Sequence, residues 1–164
     1  PMEGHEGYRR GVQRLVFGDD HPVLAARRVA TVQTLGGTGA VSLAADFLAK
    51  HCPGRLVYVS DPTWENHHGL FQRAGFRTTT YYYDAARGTV AFEAMMDTLR
   101  QAEEGSIVVL QPVCHNPTGL DLSRAQEEAL TELMLARGHI AVFDMAYQGF
   151  GEGLEEDAAF VRRY

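Results

Sequence analysis

The stretch Ile107-Val108-Val109-Leu110 is a short, uninterrupted apolar run with Gly105 before it and Pro112 after it. Continuous apolar character over a few residues is typical of a β-strand whose two faces are both buried. Two other runs share this character: Leu56-Val57-Tyr58-Val59 and Ile140-Ala141-Val142-Phe143. The three runs predict neighbouring strands in a sheet that is covered on both sides.

Weaker strand patterns and helical patterns lie around these runs. Arg28–Gln33 and Phe76–Tyr83 are predicted as a fourth and a fifth strand. Helices are predicted over Gly39–Lys50, which is apolar on most faces and should be well buried, over His67–Arg73, over Phe92–Leu99, and from the capping box of Ser123 and Gln126 to the stop signal Gly138.

Strands and helices therefore alternate along the chain. This order predicts an α/β fold with a mostly parallel sheet, helices on both of its faces, and functional loops at the carboxyl ends of the strands. Residues 1–20 show no firm period and are interpreted as an N-terminal connecting segment, and residues 21–164 as part of one domain.

Composition excludes several classes of protein. The 164 residues carry a net charge of −6, with 45% hydrophobic and 22% charged residues. The acidic balance argues against a nucleic-acid binder, and no apolar run reaches the ~20 residues of a membrane span. The two cysteines show no metal-binding spacing and are too few for a disulfide framework, so we expect no metal site and a reducing compartment.

A glycine cluster is the first candidate for chemistry. Gly36-Gly37-Thr38-Gly39 precedes a predicted helix, where free backbone N–H groups and a partial positive charge favour a phosphate. The cluster lacks the last glycine of G-x-G-x-x-G and the lysine of a P-loop. A tight strand-to-helix turn remains the alternative interpretation.

Polar residues also follow the other strands. Trp64 is a stacking platform or a core plug, and His67 is a base, a metal ligand or a structural histidine. Asn116 offers an amide or simply marks a turn. Asp144, after an apolar strand, needs a partner, and Tyr147 offers a phenol or lies outside the site. Together with a phosphate cradle, these groups suit a flat, phosphorylated, nitrogen-containing ring such as pyridoxal phosphate.

The polar residues belong to four longer motifs: Gln33-Thr34-Leu35-Gly36-Gly37-Thr38-Gly39-Ala40, Asp61-Pro62-Thr63-Trp64-Glu65-Asn66-His67, Cys114-His115-Asn116-Pro117-Thr118-Gly119 and Asp144-Met145-Ala146-Tyr147-Gln148-Gly149-Phe150. These four motifs resemble those of the aspartate and aromatic amino acid aminotransferases. The resemblance runs over nearly the whole chain, and Phe17–Pro22 favours the aromatic (tyrosine) branch. It implies the large domain of a fold type I pyridoxal-phosphate-dependent transferase, present here incompletely.

The resemblance implies a role for each matching position. Gly37 and Thr38, with Gly36 beside them, would bind the cofactor phosphate. Trp64 would stack on the pyridine ring and border the substrate.

It also implies roles for the polar residues. Asn116 and Tyr147 would hydrogen-bond the 3-oxygen of the ring, and Asn116 would also contact the substrate carboxylate. Asp144 would pair with the pyridinium nitrogen, supported by His67. Gln111 stands where aspartate-type members often have a histidine, and this departure would weaken the hydrogen-bond relay near Asp144.

The family's Schiff-base lysine is not matched in this stretch. The resemblance places it beyond Tyr164, and Lys50, in a matching helix region, is a poor candidate. We therefore expect no catalytic residue among these 164, an inactive fragment when they are alone, and ends at Pro1 and Tyr164 that are cut points.

The full enzyme would be a cytoplasmic homodimer that transfers an amino group from an aromatic amino acid or aspartate to a 2-oxo acid such as 2-oxoglutarate. Two alternatives are a non-catalytic cofactor-binding or interaction module that kept the fold, and a nucleotide-binding α/β domain.

Overall fold

Four parallel strands form the central sheet of the molecule. The computed structural model describes residues 1–85 and 88–164. The strands are β1 (Leu56–Asp61), β2 (Arg77–Tyr82), β3 (Asp84–Ala85), β4 (Thr89–Val90), β5 (Ile107–Leu110) and β6 (Ile140–Phe143). The helices are α1 (Glu6–Phe17), α2 (Pro22–Ala25), α3 (Gly36–His51), α4 (Asn66–Arg73), α5 (Phe92–Gln101), α6 (Arg124–Ala136), α7 (Leu154–Asp157) and α8 (Ala159–Arg163).

The order of the strands in the sheet is β2-β1-β5-β6, and β3 and β4 form a separate antiparallel pair. The chain moves outward from β1 to β2, then returns to the other side of β1 and continues from β5 to β6. The strand order therefore reverses between β1 and β5. In open α/β sheets, ligands bind outside the carboxyl ends of the strands at such a reversal.

Strand β5 explains why the sheet is covered on both faces. All four of its residues are buried. Val108 and Leu110 belong to one apolar core with α5, α6 and α8, whereas Ile107 and Val109 belong to a second core with α3 and α4. Because neighbouring side chains on a strand point to opposite faces, one apolar run fills both cores. The predicted α/β class, the parallel sheet and the helices on both faces are confirmed.

The prediction of a strand at Arg28–Gln33 is wrong. These residues have no regular secondary structure. Their hydrogen bonds go to the amino-terminal region instead: Gln33 N–H donates to the Glu3 carbonyl, and the Gln13 side chain donates to the Thr31 hydroxyl. A propensity for extended structure does not make a strand when the partner is not a strand.

Helix α3 differs from its prediction in two ways. It begins at Gly36, three residues earlier, so the glycine cluster forms the first turn of the helix. Only one face is buried, through Val41, Ala45 and Leu48. The expectation of a well-buried helix is wrong, because Leu43 and Phe47 are 45% and 61% exposed.

The amino-terminal region contains a helix that the interpretation as a connecting segment missed. Helix α1 carries apolar residues at Tyr8, Val12, Leu15 and Val16, a helical spacing that was present in the sequence. The guanidinium of Arg162 in α8 donates a 2.6 Å hydrogen bond from Nε to the Val16 carbonyl. The division into residues 1–20 and 21–164 stays a prediction.

The end signals of α6 are confirmed. Ser123 and Gln126 form a reciprocal capping box, and Gly138 follows the helix with a φ of 62°. This left-handed conformation favours glycine, because a Cβ would crowd the backbone there. Among the helices that the structure describes, none has the length and apolar character to cross a membrane.

Candidate functional site

Three of the predicted site residues, Trp64, Asn116 and Asp144, lie in loops at one edge of the sheet. Strands β1, β5 and β6 are parallel neighbours, so their carboxyl ends share an edge. Trp64 follows β1, Asn116 follows β5 and Asp144 follows β6 directly. The Asp144 N–H donates to the Leu110 carbonyl at 2.8 Å, which fixes the start of the β6 loop against the end of β5.

A chain of three side chains holds the Asp144 carboxylate. The Nε2 atom of His67 lies 2.9 Å from Asp144 Oδ2, and its Nδ1 atom lies 2.7 Å from the Thr63 hydroxyl. Because a carboxylate only accepts hydrogen bonds, Nε2 donates to Asp144, and in the neutral ring Nδ1 accepts from Thr63. His67 is fully buried, whereas the Asp144 side chain is 17% exposed. Within residues 1–85 and 88–164 the second carboxylate oxygen makes no side-chain hydrogen bond, so it can accept one from a ligand while the first is held.

Trp64 packs on the same histidine. Its ring meets the His67 ring edge to face, with the centroids 5.3 Å apart and an angle of 88° between the planes. The indole is half-buried and borders the core of α3 and α4. It fills part of that core and leaves part of its surface open, and its role as a stacking platform stays a prediction.

The amino terminus of α3 lies across an open groove from Asp144. Gly36, Gly37 and Asp144 line this groove, which has a volume of about 650 Å³. The N-cap residue Leu35 makes no side-chain cap, and a Cβ at Gly37 would meet no other atom within 4 Å. The Gly36 N–H donates to the Thr34 carbonyl at 3.1 Å. The next N–H groups of the helix, those of Gly37 and Thr38, can receive an anion beside the exposed Thr38 hydroxyl.

Asn116 and Tyr147 lie at the same edge of the sheet, outside the residues that line this groove. Asn116 is half-buried in the turn after β5, and its backbone is hydrogen-bonded to Gln111. Tyr147 is 41% exposed. The structure thus brings Gly36, Gly37 and Asp144 to one groove, and neither Asn116 nor Tyr147 touches Asp144 in the hydrogen bonds of the described residues.

The loop after Tyr147 is fixed by the carboxylate of Asp157. This buried carboxylate accepts hydrogen bonds from the N–H groups of Gly149, Gly151, Glu152 and Gly153, at 2.7, 3.0, 2.8 and 3.3 Å. Burial by itself would raise the pKa of Asp157, but the four N–H donors hold that pKa below its usual value.

Replacing Asp157 with asparagine should destabilise the protein by about 2 to 4 kcal/mol, measured by urea unfolding at neutral pH. The amide nitrogen that replaces one oxygen cannot accept, so two backbone N–H groups lose their acceptor. The Asp97→Asn variant is the control, because Asp97 pairs with Arg100 on the exposed surface. Equal stability of the two variants would show that the four hydrogen bonds contribute little.

His115 is a buried histidine that sequence reasoning placed in a motif without a role. Its two ring nitrogens lie 2.9 Å from the hydroxyls of Ser60 and Thr118, and its ring stacks on Tyr83 with centroids 4.0 Å apart. Burial lowers the pKa of His115 to about 4, so the ring is neutral at neutral pH. It links strand β1 to the loop after β5 without carrying a charge.

This burial predicts an acid dependence of stability. The unfolded chain binds a proton on His115 near pH 6.5, whereas the folded chain does so only near pH 4. The free energy of unfolding should therefore fall as the pH falls from 6.5 to 4, by up to roughly 3 kcal/mol from this residue. Urea unfolding across this range should give a flatter curve for His115→Gln than for His51→Gln, since His51 is exposed. The same slope in both variants would exclude His115 as the source.

Sequence reasoning missed two residues of this region. Thr63 was quoted in a motif but given no function, although its spacing of four from His67 is a recognisable signal. Gln111 was noted only as a departure, whereas the structure gives it the two hydrogen bonds to Asn116. No local pattern reveals the contact between Gln111 and Asn116, because it depends on how the turn after β5 folds back on the strand end.

Comparison with known proteins identifies the family. The sequence profile of the family described as Aminotransferase class I and II matches residues 1–164. The chain belongs to this family. Two curated aminotransferases are similar to it: the aromatic-amino-acid aminotransferase of Escherichia coli (strain K12), 52% identical over 99% of this chain, and an aspartate aminotransferase of Pseudomonas aeruginosa, 48% identical over all of it. The chain spans 41% and 42% of the lengths of these two relatives.

Solved aminotransferase structures have the same fold. An aromatic amino acid aminotransferase from Burkholderia cenocepacia J2315 superposes with a TM-score of 0.97 and is 51% identical, over 99% of this chain and 41% of that one. An aromatic-amino-acid aminotransferase from Burkholderia pseudomallei, described as covalently bound to pyridoxal phosphate, superposes with a TM-score of 0.96. It is 50% identical, over 99% of this chain and 41% of that one. The α/β architecture is therefore part of an aminotransferase domain.

The only lysine of this stretch lies far from the site. Lys50 is exposed in the last turn of α3, at the opposite end from Gly36. A helix of 16 residues is about 24 Å long at ~1.5 Å per residue. Lys50 therefore cannot reach the groove beside Asp144.

Proposed function

We propose that the protein is a pyridoxal-phosphate-dependent aminotransferase, which transfers an amino group from an aromatic amino acid or aspartate to a 2-oxo acid such as 2-oxoglutarate. The observation that carries this proposal is the Asp144 carboxylate, fixed by the buried His67 and facing a groove that ends at an open helix amino terminus. The family match and the names of the relatives support it.

The residues of the groove and of the neighbouring loops fit the cofactor. The uncapped first turn of α3 at Gly36, Gly37 and Thr38 suits a phosphate, because its N–H groups lack partners in the helix and no side chain fills the space. Trp64 suits the face of a planar ring. Asn116 and Tyr147 supply an amide and a phenol for the 3-oxygen of the ring, and Asp144 supplies a carboxylate for its nitrogen.

Bound pyridoxal phosphate supplies a ring that withdraws electrons from the substrate carbon, and does so best when its nitrogen carries a proton. Asp144 holds that proton by presenting a negative charge to the nitrogen. His67 keeps the carboxylate oriented through the Nε2 donor, and Thr63 keeps the imidazole oriented in turn. Trp64 and Asn116 border the place of the substrate, and the Asn116 amide donates to the substrate carboxylate.

The assay of this function uses the natural protein that carries this chain. With pyridoxal phosphate, L-tyrosine or L-aspartate, and 2-oxoglutarate, we expect glutamate and the matching 2-oxo acid to form at equal rates. Binding of pyridoxal phosphate without transamination would favour the non-catalytic module. Binding of a nucleotide and not of pyridoxal phosphate would favour the nucleotide-binding domain.

A second arm tests the 164 residues by themselves. They place no lysine at the groove, so they should give no turnover even where they bind pyridoxal phosphate. Borohydride reduction of the active natural protein should fix the cofactor to a lysine outside this stretch. Turnover by residues 1–164 alone would contradict this assignment. We further propose a homodimer in the cytoplasm, which sedimentation of the natural protein and cell fractionation would test.

A further inference from the structure

The side chain of Gln111 holds the backbone of Asn116 at two points. Its Nε2 atom donates to the Asn116 carbonyl at 3.0 Å, and its Oε1 atom accepts from the Asn116 N–H at 2.9 Å. A carboxamide presents a donor and an acceptor side by side, so it pairs with both polar groups of one residue as a neighbouring strand would. Gln111 itself follows β5 directly and is half-buried.

The rest of this turn is held by another side chain. The carboxylate of Asp121 accepts from the N–H groups of Cys114 and His115, at 2.8 and 3.0 Å. The Gly119 N–H donates to the His115 carbonyl at 2.6 Å. Asp121 thus holds the backbone of Cys114 and His115, and Gln111 holds the backbone of Asn116.

The side chain of Asn116 is left available. Among residues 1–85 and 88–164 its carboxamide makes no hydrogen bond, although the backbone of the same residue is satisfied by Gln111. A half-buried amide with a fixed backbone and a free side chain is arranged to contact a ligand rather than to stabilise its own turn.

We propose that Gln111 is a positioning residue, which fixes the backbone of Asn116 so that its carboxamide reaches the 3-oxygen of the cofactor and the carboxylate of the substrate. This inference rests on the proposed function. A histidine at this position could not make the same pair of bonds, since the two nitrogens of an imidazole point in diverging directions. In this chain the side-chain carboxamide of Gln111 therefore holds the turn with a donor and an acceptor that a histidine could not both supply.

The first experiment measures hydrogen exchange in the cofactor-free natural protein, followed at the single amide of Asn116. In Gln111→Met, which keeps the length and removes both polar atoms, this amide should exchange at least about tenfold faster than in the wild type. Gln111→Glu keeps the acceptor for the Asn116 N–H but sets a second acceptor against the Asn116 carbonyl, so its exchange rate should lie between those of the wild type and Gln111→Met. The control is Gln126→Met, which removes a side-chain acceptor from a backbone N–H at the start of α6.

The second experiment records the absorption of the bound cofactor against pH, together with steady-state kinetics. Because Asn116 is proposed to contact the 3-oxygen, the midpoint pH of the change in cofactor absorption should move by about half a pH unit or more in Gln111→Met. The KM for the amino acid should rise at least about fivefold. Gln126→Met should show neither change, although it also loses a hydrogen bond.

The outcomes separate the two proposals. An unchanged exchange rate at the Asn116 amide in Gln111→Met would overturn the positioning role. A faster exchange rate would also overturn it if both the midpoint pH of the absorption change and the KM stayed at their wild-type values. If the wild type binds no pyridoxal phosphate, the proposed function fails and the positioning role toward the cofactor fails with it, while the exchange rates still report whether Gln111 fixes the turn.

Discussion

The Asp144→Asn variant of the natural protein should lose at least about 100-fold in kcat/KM for transamination. A neutral amide cannot hold the positive charge on the ring nitrogen, so the ring withdraws electrons less strongly. The fold should survive, because an amide has the size of a carboxylate and its oxygen still accepts from His67 Nε2, which lies 2.9 Å from Asp144 Oδ2. Steady-state kinetics and the affinity for pyridoxal phosphate, measured by absorbance, test this result.

The matched control for this variant is Asp46→Asn. Asp46 is an exposed aspartate that pairs with Arg73 between α3 and α4. Surface pairs of this kind contribute little, about 0 to 1 kcal/mol, so its activity should stay near that of the wild type. Wild-type activity in Asp144→Asn would show that the ring nitrogen needs no carboxylate in this protein.

The Gly37→Asp variant should separate stability from cofactor binding, because its two effects have opposite signs. An acidic residue in the first turn of α3 interacts favourably with the helix dipole, by about 0.3 to 1 kcal/mol, and nothing obstructs its Cβ. The same charge would repel a phosphate at about 5 Å by about 3 kcal/mol at an effective dielectric constant near 20. We therefore expect equal or greater stability and at least about 100-fold weaker binding of pyridoxal phosphate.

Gly37→Ala is the control for this second variant, because it adds a side chain without a charge. It should keep the stability of the wild type or gain slightly, and it should lose far less affinity than Gly37→Asp. Thermal unfolding gives the stability, and titration with pyridoxal phosphate followed by absorbance gives the affinity. If Gly37→Asp bound the cofactor as tightly as the wild type, the phosphate would have to lie elsewhere.

The buried strands and the capped helix were predictable because their signals are local. Ile107–Leu110 and Ile140–Phe143 are apolar runs of the right length, and Ser123 with Gln126 specifies where α6 begins. Local patterns gave a wrong prediction where the hydrogen-bonding partner of a segment decided its secondary structure. Arg28–Gln33 has a strand-like composition, but its hydrogen bonds go to the amino-terminal region and not to the sheet.

The candidate site divides in the same way. Trp64, Asn116 and Asp144 were predicted by residue type and by position after strands, and Gly37 by its place at the start of a helix. The contact between His67 and Asp144 joins residues 77 apart in the chain and was expected only from the resemblance to a family. The two hydrogen bonds between the Gln111 side chain and the Asn116 backbone were not expected, since they follow from the path of a turn.

The sequence by itself determined the buried strands β1, β5 and β6, the beginning of α6 and the polar residues that follow those strands, because apolar runs and helix caps act over a few neighbouring residues. The tertiary structure decided which of those ends meet. The parallel pairing of β1, β5 and β6 brings the loops with Trp64, Asn116 and Asp144 to one edge. Burial of His67 between them then fixes the carboxylate, and packing of this kind is specified by all the contacting elements together and not by any single stretch of residues.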